Sequence, residues 1–337
     1  MLDGAARIKP MVAEAARLGQ PAIGLTDHGY LFGAYEFYDA AKKAGIKPII
    51  GLEAYVTPGT SRFDRQKVTW GEPWQRSDDV SASGSYNHLT LLAYSTEGMH
   101  NLFRLGSYAS VDGQFGKWPR ADKELLERFH KGLIVFTGCP SGAVQTRMRL
   151  GQWDEAVAEA AELRDIFGPE NFYVEVMDHG IEFERRTQKQ LLELAKLMDA
   201  PLVATNDAHY VKKEDRGIQD ALLCINSGSR ISDPDRFKFD GDGYYIRPSE
   251  EMRSIWKELP QACDSTLEIA ERCEVHFHTT AEGASYMPDF PVPEGEDKTS
   301  WFIKEVEKGL QERFPKGIPD AVRKQAEYEE DVIIKMG

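Results

Sequence analysis

Side chains of the kinds that bind metal ions stand at the ends of five apolar runs in this chain. The runs are residues 21–28, 46–53, 88–93, 132–139 and 201–209, and they carry His28, Glu53, His88, Cys139 and the pair Asp207 and His209. Apolar runs of this length, flanked by glycine or proline, are typical of buried β-strands. The strands of a parallel barrel end on one face, where such proteins carry out chemistry. The pattern therefore predicts a metal-assisted hydrolase.

The predicted ligands suit borderline divalent metals such as zinc and manganese, because these ions accept imidazole and carboxylate ligands and thiolate favours the softer ones. A cluster of this size could hold two or three ions. Two neighbouring ions would clamp the attacking and leaving oxygens of a phosphoester and lower the pKa of a bound water. The residue types support this interpretation, whereas the spacing does not, since the ligands are far apart along the chain.

Each of these residues also has a structural explanation. A histidine at a strand end such as His28 is often a hydrogen-bonded structural residue, and Cys139 can be a small core residue. Glu53 is the stronger candidate, because a buried carboxylate needs a partner. His88 precedes its apolar run, whereas a ligand in a parallel barrel should follow one. His179 follows a strand and could line the site without binding a metal.

Strand-like and helical patterns alternate as far as residue 210, which is typical of βα units around a parallel sheet. In this part, helices are predicted over 8–18, 35–44, 153–167 and 182–198. Strands are predicted over 22–25, 46–52, 171–177 and 201–205. Helices are also predicted over 215–226, 248–259, 261–273, 301–314 and 320–335, with a short strand ending at residue 246. The long connection 57–86 predicts either a cover over the site or a disordered loop.

Composition restricts the function further. Four scattered cysteines in 337 residues do not form a disulfide framework, which favours a reducing cytoplasm. No apolar run is long enough for a membrane-spanning helix, so no membrane partner is expected. The net charge of −14 is unlike that of a domain that holds nucleic acid by itself. If the substrate is a nucleic acid, another domain or a bound metal must supply much of the affinity.

Several phrases of the sequence together resemble the PHP (polymerase and histidinol phosphatase) domain at the start of bacterial replicative DNA polymerase III alpha subunits. They are residues 2–8, 24–30, 45–55, 88–93, 137–142, 204–210 and 239–245. The resemblance implies a distorted (β/α)7 TIM-like barrel of α/β class. It also implies up to three divalent metals, zinc or manganese, in a 3′–5′ exonuclease that removes misinserted nucleotides.

Matched phrase by phrase, the resemblance implies a full set of site residues. The implied metal ligands are Asp3, His28, Glu53, His88, Cys139, Asp207 and His209. Of these, Asp3, Asp207 and His209 are also expected to act in catalysis. The resemblance assigns His88 as a metal ligand. Its position before an apolar run does not by itself predict that role.

The same resemblance predicts the organisation of the chain. Residues 1–285 would form the PHP barrel with its C-terminal extension, and 286–337 a linker and helices that lead into the polymerase palm. The family begins with a strand carrying His-x-His ahead of the Leu-Asp-Gly phrase. This chain starts at that phrase. We therefore expect the first barrel strand, two further ligands and the polymerase core to lie outside the printed sequence.

The expected partners are a DNA primer terminus presented by the rest of the polymerase, the other domains of the alpha subunit, and replisome components such as the sliding clamp. Two alternatives stay open. One is a catalytically inert PHP module that braces the polymerase. The other is a stand-alone phosphoesterase of the histidinol-phosphatase type, which the stretch from residue 212 to 246 disfavours.

Overall fold

A computed structural model describes residues 3–76, 79–284 and 288–336 of the protein. The chain divides into two compact units, Met1–Phe277 and His278–Gly337. The predicted boundary between residues 285 and 286 lies outside the described residues.

The first unit consists of alternating helices and short strands. Its helices are α1 (Ile8–Arg17), α2 (Ala34–Ala44), α3 (Thr96–Val111), α4 (Lys123–Phe129), α5 (Ala143–Arg149), α6 (Trp153–Phe167), α7 (Glu182–Leu197), α8 (Arg216–Ser227), α9 (Ser249–Ile255) and α10 (Pro260–Arg272). Its strands are β1 (Ala22–Leu25), β2 (Lys47–Val56), β3 (Val68–Thr69), β4 (Ser83–Gly84), β5 (Asn87–Ala93), β6 (Arg120–Ala121), β7 (Leu133–Phe136), β8 (Phe172–Val176) and β9 (Leu202–Ala204). The four helices predicted before residue 200 are confirmed to within one residue at each end. The strand predicted to end at residue 246 is replaced by a single bridge between Tyr210 and Tyr245.

The main sheet has the strand order β1-β2-β5-β7-β8-β9, with β6 paired to the end of β2. The β1–β2, β7–β8 and β8–β9 pairs are parallel, but β5 is antiparallel to both of its neighbours. The expected wholly parallel sheet is therefore wrong at β5. The connection 57–86 contains no α-helix in its described part, so it returns the chain at the same end of the sheet instead of crossing it.

Helices cover the outer face of this sheet, and α10 packs against the inner face. Ile269 and Ala270 of α10 contact a cluster that includes Ile49, Leu92 and Ile134. Both faces of the central strands are consequently buried, which explains why their sequences are almost continuously apolar. The architecture is a curled α/β half-barrel, which confirms the predicted class of distorted TIM-like barrel.

The half-barrel is open along one side. No strand in the described part of the chain pairs with the free edge of β1 or of β9. A cavity of about 740 Å³ reaches from β1 and β9 to α10 and to the strand ends. An unpaired strand edge leaves backbone groups available for a further strand.

The connection 57–86 folds around the small β3–β4 hairpin. Its Trp70 and Ala82 pack against Leu150 at the end of α5. None of its described residues lines the large cavity. The described part of the connection therefore does not cover the cavity: most of it packs beside α5, and only its last residue, Tyr86, reaches the strand-end group, where it stacks on His88.

The second unit contains α11 (Lys298–Arg313) and α12 (Asp320–Met336), which confirms the two helices predicted there. Arg323 of α12 forms an ion pair with Glu307 of α11. Neither helix has a fully buried residue. Across the described residues of both units, no helix combines the length and the apolar character that a membrane crossing requires.

Candidate metal centre

His28 and Glu53 are neighbours because β1 and β2 are parallel and their ladder continues past β1. A bridge joins the two residues, with the Gly29 amide donating to the carbonyl of Glu53 and the Glu53 amide donating to that of Asp27. The side chains of both residues consequently emerge at the same end of the sheet. The sequence placed both at strand ends, and the pairing register brings them into contact.

The carboxylate of Glu53 is the centre of the group. Its Oε2 lies 3.0 Å from Nδ1 of His28, and its Oε1 lies 2.5 Å from Nδ1 of His88. The Cys139 thiol donates to Oε1 of Glu53 at 3.6 Å and lies 3.5 Å from Nδ1 of His88. Three of the predicted ligands, from three different segments, thus meet around a fourth, the buried carboxylate of Glu53.

The position of His88 follows from the direction of β5. In the antiparallel pair, His88 stands opposite Tyr55, near the carboxyl end of β2. The first residues of β5 therefore lie at the same end of the sheet as the last residues of the parallel strands. The apparent difficulty that His88 precedes its apolar run disappears, because only a parallel strand would have needed a ligand after it.

Asp3 and His209 complete the group on the other side of His28. Oδ2 of Asp3 lies 3.0 Å from Nε2 of His28, and the rings of His28 and His209 are 5.9 Å apart. The buried Gln219 of α8 donates to the Asp3 carbonyl, and the amides of Ala5 and Ala6 donate to the carbonyl of His209. The N-terminal segment is therefore attached directly to the turn that carries His209.

Asp207 lies in this turn in a left-handed backbone conformation, with φ of 43°, which is uncommon for a residue other than glycine. Its carbonyl accepts a hydrogen bond of 2.8 Å from Nδ1 of His209. A carbonyl can only accept, so Nδ1 carries the proton and Nε2 of His209 is left with its lone pair. That arrangement is the one in which a neutral histidine binds a metal ion through Nε2.

The structure brings the seven predicted ligands together to different degrees. Two overlapping groups of three have their ligand atoms within 4.8 Å of one another and share His28: Asp3, His28 and His209, and His28, Glu53 and His88. Cys139 contacts the second group through Glu53, and Asp207 lies beside His209, with its Oδ1 3.6 Å from Nδ1. Five residues thus form the two groups, and two lie at their margin.

The charges in this group affect one another strongly. Burial lowers the pKa of His28, but the carboxylates of Glu53 and Asp3 outweigh that effect and raise it to about 11. Burial alone would raise the pKa of Glu53, yet the nearby His88 and His28 hold it well below its usual range. Burial, reinforced by the negative charge of Glu53, raises the pKa of the Cys139 thiol. The carboxylates therefore stay ionised and need a positive partner, which protons or metal ions can supply.

One nitrogen shows that protons alone do not satisfy the group. Nδ1 of His28 is buried and, although it lies 3.0 Å from Oε2 of Glu53, it has no hydrogen-bond partner of acceptable geometry. A buried polar atom without a hydrogen bond is costly. A divalent cation could take the place of the proton on this nitrogen, beside the carboxylate oxygens, and the imidazole and carboxylate set fits zinc or manganese. The residues present therefore fit a metal centre.

Glu175 is a buried acid that the sequence analysis missed. It lies in the middle of β8 and accepts hydrogen bonds from the hydroxyls of Thr205 and Thr90. Burial raises its pKa to about 8. A carboxylate at the end of an otherwise apolar run was the signal that selected Glu53, and the run 172–176 carries its carboxylate next to its last residue.

His179 and Glu184 form a second group that sequence reasoning did not assign. Nδ1 of His179 lies 2.5 Å from Oε1 of Glu184, and Nε2 donates to the carbonyl of Asn206 at 2.8 Å. The His179 ring also stacks on Tyr244 at 4.0 Å. Because Asn206 directly precedes Asp207, this pair positions the turn that carries two of the predicted ligands. His179 does not line the large cavity and instead lies behind this turn.

Comparison with known proteins identifies the family. The PHP domain model matches residues 1–179, which is more than half of the chain. The DNA polymerase III alpha subunits of Mycobacterium tuberculosis H37Rv and Mycobacterium leprae are 55% and 53% identical to this chain over its whole length. That of Saccharopolyspora erythraea is 48% identical, also over the whole chain.

The chain spans only 28–29% of the length of these three relatives. A crystal structure from Bacteroides vulgatus, described as a two-domain protein with a predicted PHP-like metal-dependent phosphoesterase, has a TM-score of 0.34 and 16% identity. It covers 68% of this chain and 54% of its own, and a likeness this weak carries no argument.

Proposed function

Because the chain belongs to the PHP family and matches DNA polymerase III alpha subunits along its whole length, we propose that it is the PHP region of such a subunit and acts as a metal-dependent 3′–5′ exonuclease. The observation that carries this proposal is the set of contacts made by the Glu53 carboxylate. It lies against His28, which follows β1, and His88, in β5, and the Cys139 thiol after β7 donates to it. A buried acid with two imidazoles is a typical donor set for a hydrolytic metal centre.

The site would hold up to three ions, zinc or manganese, through the seven residues assigned above. Bound metals would supply Lewis-acid activation of a phosphodiester and of water. Nδ1 of His209 donates a hydrogen bond to the Asp207 carbonyl, which fixes the imidazole tautomer and orients Nε2. Asp3 is attached to α8 through its backbone, so its carboxylate is held beside His28. We assign Asp3, Asp207 and His209 to catalysis because they line the cavity at the strand ends.

The proposed substrate is the 3′ end of a DNA primer. A net charge of −14 gives the chain few means of neutralising phosphates, so we propose that other domains of the alpha subunit present the primer end. Contacts with replisome components such as the sliding clamp would then involve regions outside this chain. The proposed setting is the bacterial cytoplasm, where such a polymerase acts.

The test is hydrolysis of a mismatched primer end by an alpha subunit that carries this region. Asp207→Asn and His209→Ala should each abolish metal-dependent hydrolysis and leave primer extension nearly unchanged, because their side chains belong to the site and not to a polymerase centre. Loss of primer extension with hydrolysis intact would overturn the assignment. Activity on histidinol phosphate exceeding that on primer ends would instead favour the stand-alone phosphoesterase.

One observation favours a second candidate function, an inert module that braces the polymerase. No strand of the described residues closes the half-barrel between β1 and β9, so the candidate metal centre is open on that side. Metal content separates the two candidates: the exonuclease requires bound divalent ions, and the bracing module does not. Mass spectrometry of the purified chain, before and after it is extended by such a strand, measures this directly.

A further inference from the structure

Three aromatic rings form a continuous surface at the edge of the metal centre. The ring of Tyr86 stacks parallel to that of His88, with 5.8 Å between centroids and 4° between planes. Tyr86 also lies 4.4 Å from Tyr55 and 5.3 Å from Trp118. Tyr55 in turn stacks parallel to His28 at 6.1 Å. Aromatic rings thus adjoin two candidate metal ligands, His28 and His88. We call Tyr55, Tyr86 and Trp118 together the Tyr86–Trp118 platform.

The platform is not part of the hydrophobic core. Tyr55, Tyr86 and Trp118 are all half-buried, unlike the fully buried aromatic residues of the core. In the described part of the chain, neither phenol oxygen of Tyr55 or Tyr86 has a hydrogen-bond partner. Their partial exposure leaves part of each ring open to solvent.

The turn that carries Trp118 is closed by backbone hydrogen bonds and bears a positive charge. Phe115 and Trp118 exchange backbone hydrogen bonds across it, and Gly116 has φ of 63°. A Cβ at Gly116 would lie 3.4 Å from the Trp118 ring, so the indole packs against this backbone. The exposed Lys117 places its Nζ 5.8 Å from the centre of the same ring. A cation beside a stacking surface is what single-stranded nucleic acid binds, through phosphate and base respectively.

We propose that the Tyr86–Trp118 platform binds the unpaired nucleobase at the 3′ end of a DNA strand, with Lys117 facing the adjoining phosphate. This rests on the proposed function, because it places the base beside the metal centre that would take the phosphodiester. Every base has a stackable face, so the platform accepts all four bases. A base in a duplex is already stacked and paired, so the platform selects ends that have come apart, as a misinserted nucleotide does.

Binding of a base to the platform can be measured without any hydrolysis. A short single strand with 2-aminopurine as its 3′ base and a phosphorothioate at the last linkage is titrated with the chain in the presence of manganese. Stacking quenches the fluorescence of 2-aminopurine, so binding to the platform should quench it. Trp118→Ala and Tyr86→Ala should each weaken binding roughly 5- to 150-fold and remove most of the quenching, the range expected for loss of one stacked base.

Two control variants keep the result interpretable. Trp118→Phe retains a ring and should keep the quenching, which separates lost stacking from misfolding. Trp74→Ala removes a 78% exposed tryptophan that contacts no aromatic ring of the site, and should leave binding unchanged. Equal quenching in Trp118→Ala, Tyr86→Ala and the unaltered chain would overturn the proposal, as would the absence of quenching in the unaltered chain.

Hydrolysis then separates the platform from the exonuclease itself. A strand ending in an abasic site has no base to stack, so Trp118→Ala should lower kcat/KM on a normal 3′ end and leave the abasic end unaffected. Equal losses on both ends would contradict the platform while leaving the exonuclease intact. Failure of the unaltered protein to cut either strand would count against the proposed function, and the fluorescence titration would still decide the platform.

Discussion

Two groups of charged side chains are buried in the first unit, and they differ in how their charges are balanced. Under the connection 57–86, two buried arginines face carboxylates: Nε of Arg149 lies 2.8 Å from Oδ2 of Asp79, and Arg62 pairs with Asp122 at 2.9 Å. At the strand ends, carboxylates face histidines and a thiol, and no arginine or lysine in the described residues pairs with Glu53. The first group is electrically complete, whereas the second depends on protons or metal ions for its positive charge.

This difference distinguishes a structural group from a functional one. A closed ion pair attaches one part of the chain to another and has no need of a ligand. A group of electron-pair donors without a permanent cation gains stability only when a cation arrives. Burial and perturbed charge occur in both groups, so neither feature alone identifies the site. The kinds of side chains that face each other do.

The largest effect should follow from breaking the closed pair. Arg149→Met leaves Asp79 buried without its partner, and removing one member of a buried ion pair costs about 3–5 kcal/mol. Denaturant unfolding should show this loss, whereas Arg149→Met combined with Asp79→Leu should recover much of it. Metal affinity of the folded variants should stay unchanged. A loss of metal binding on a par with the loss of stability would mean that the two groups are not separate.

Glu175 tests the pH dependence of the site's surroundings. Because its folded pKa is about 8 and its ordinary value is 4.5, the folded protein holds a proton that the unfolded chain releases. Protonated Glu175 therefore contributes fully to the free energy of unfolding below pH 4.5. This contribution, on the order of a few kcal/mol, is lost as the pH rises towards 8.

Glu175→Gln should remove this slope from the metal-free protein, since the amide cannot ionise. Denaturant unfolding at several pH values between 4.5 and 8 measures it. The exposed Glu193 provides the matched control, because Glu193→Gln should leave the slope as it was. A slope unchanged in Glu175→Gln would show that another group causes the pH dependence.

The pair of His179 and Glu184 shares features with both groups and should give the smallest of these effects. It is closed like the loop pairs, yet it holds the turn before Asp207. His179→Phe keeps a ring against Tyr244 but loses both hydrogen bonds. Metal affinity should fall about 10- to 100-fold, the usual cost of losing support behind a ligand. Isothermal titration with zinc measures this, and His100→Phe, at an exposed position, serves as the control.

Much of the site could be predicted because strand burial leaves a clear pattern in the sequence. His28, Glu53 and Cys139 follow apolar runs, and parallel strands bring such ends together. The direction of β5 could not be predicted in this way, because periodicity is the same for a strand that runs either way. For that reason His88 was assigned by resemblance and explained only by the sheet.

Other parts of the site depend on contacts between distant segments. Asp3 belongs to no strand, and its place is set by Gln219 and by the His209 turn, more than 200 residues away. The Tyr86–Trp118 platform joins a strand end to a turn that has no strong sequence signal. Such contacts join segments that are distant in the sequence, so a local pattern does not contain them.

The central claim is that the strand-end group is a metal centre, and metal content tests it most directly. The purified chain, equilibrated with zinc or manganese and dialysed, should retain at least one ion per chain by mass spectrometry. Glu53→Gln preserves the volume of the side chain but replaces a carboxylate oxygen with an amide, and should weaken binding by more than about 100-fold. Asp79→Asn, in the closed pair, should leave the metal content unchanged. Equal metal content in Glu53→Gln and the unaltered chain, or no retained metal in either, would contradict the account.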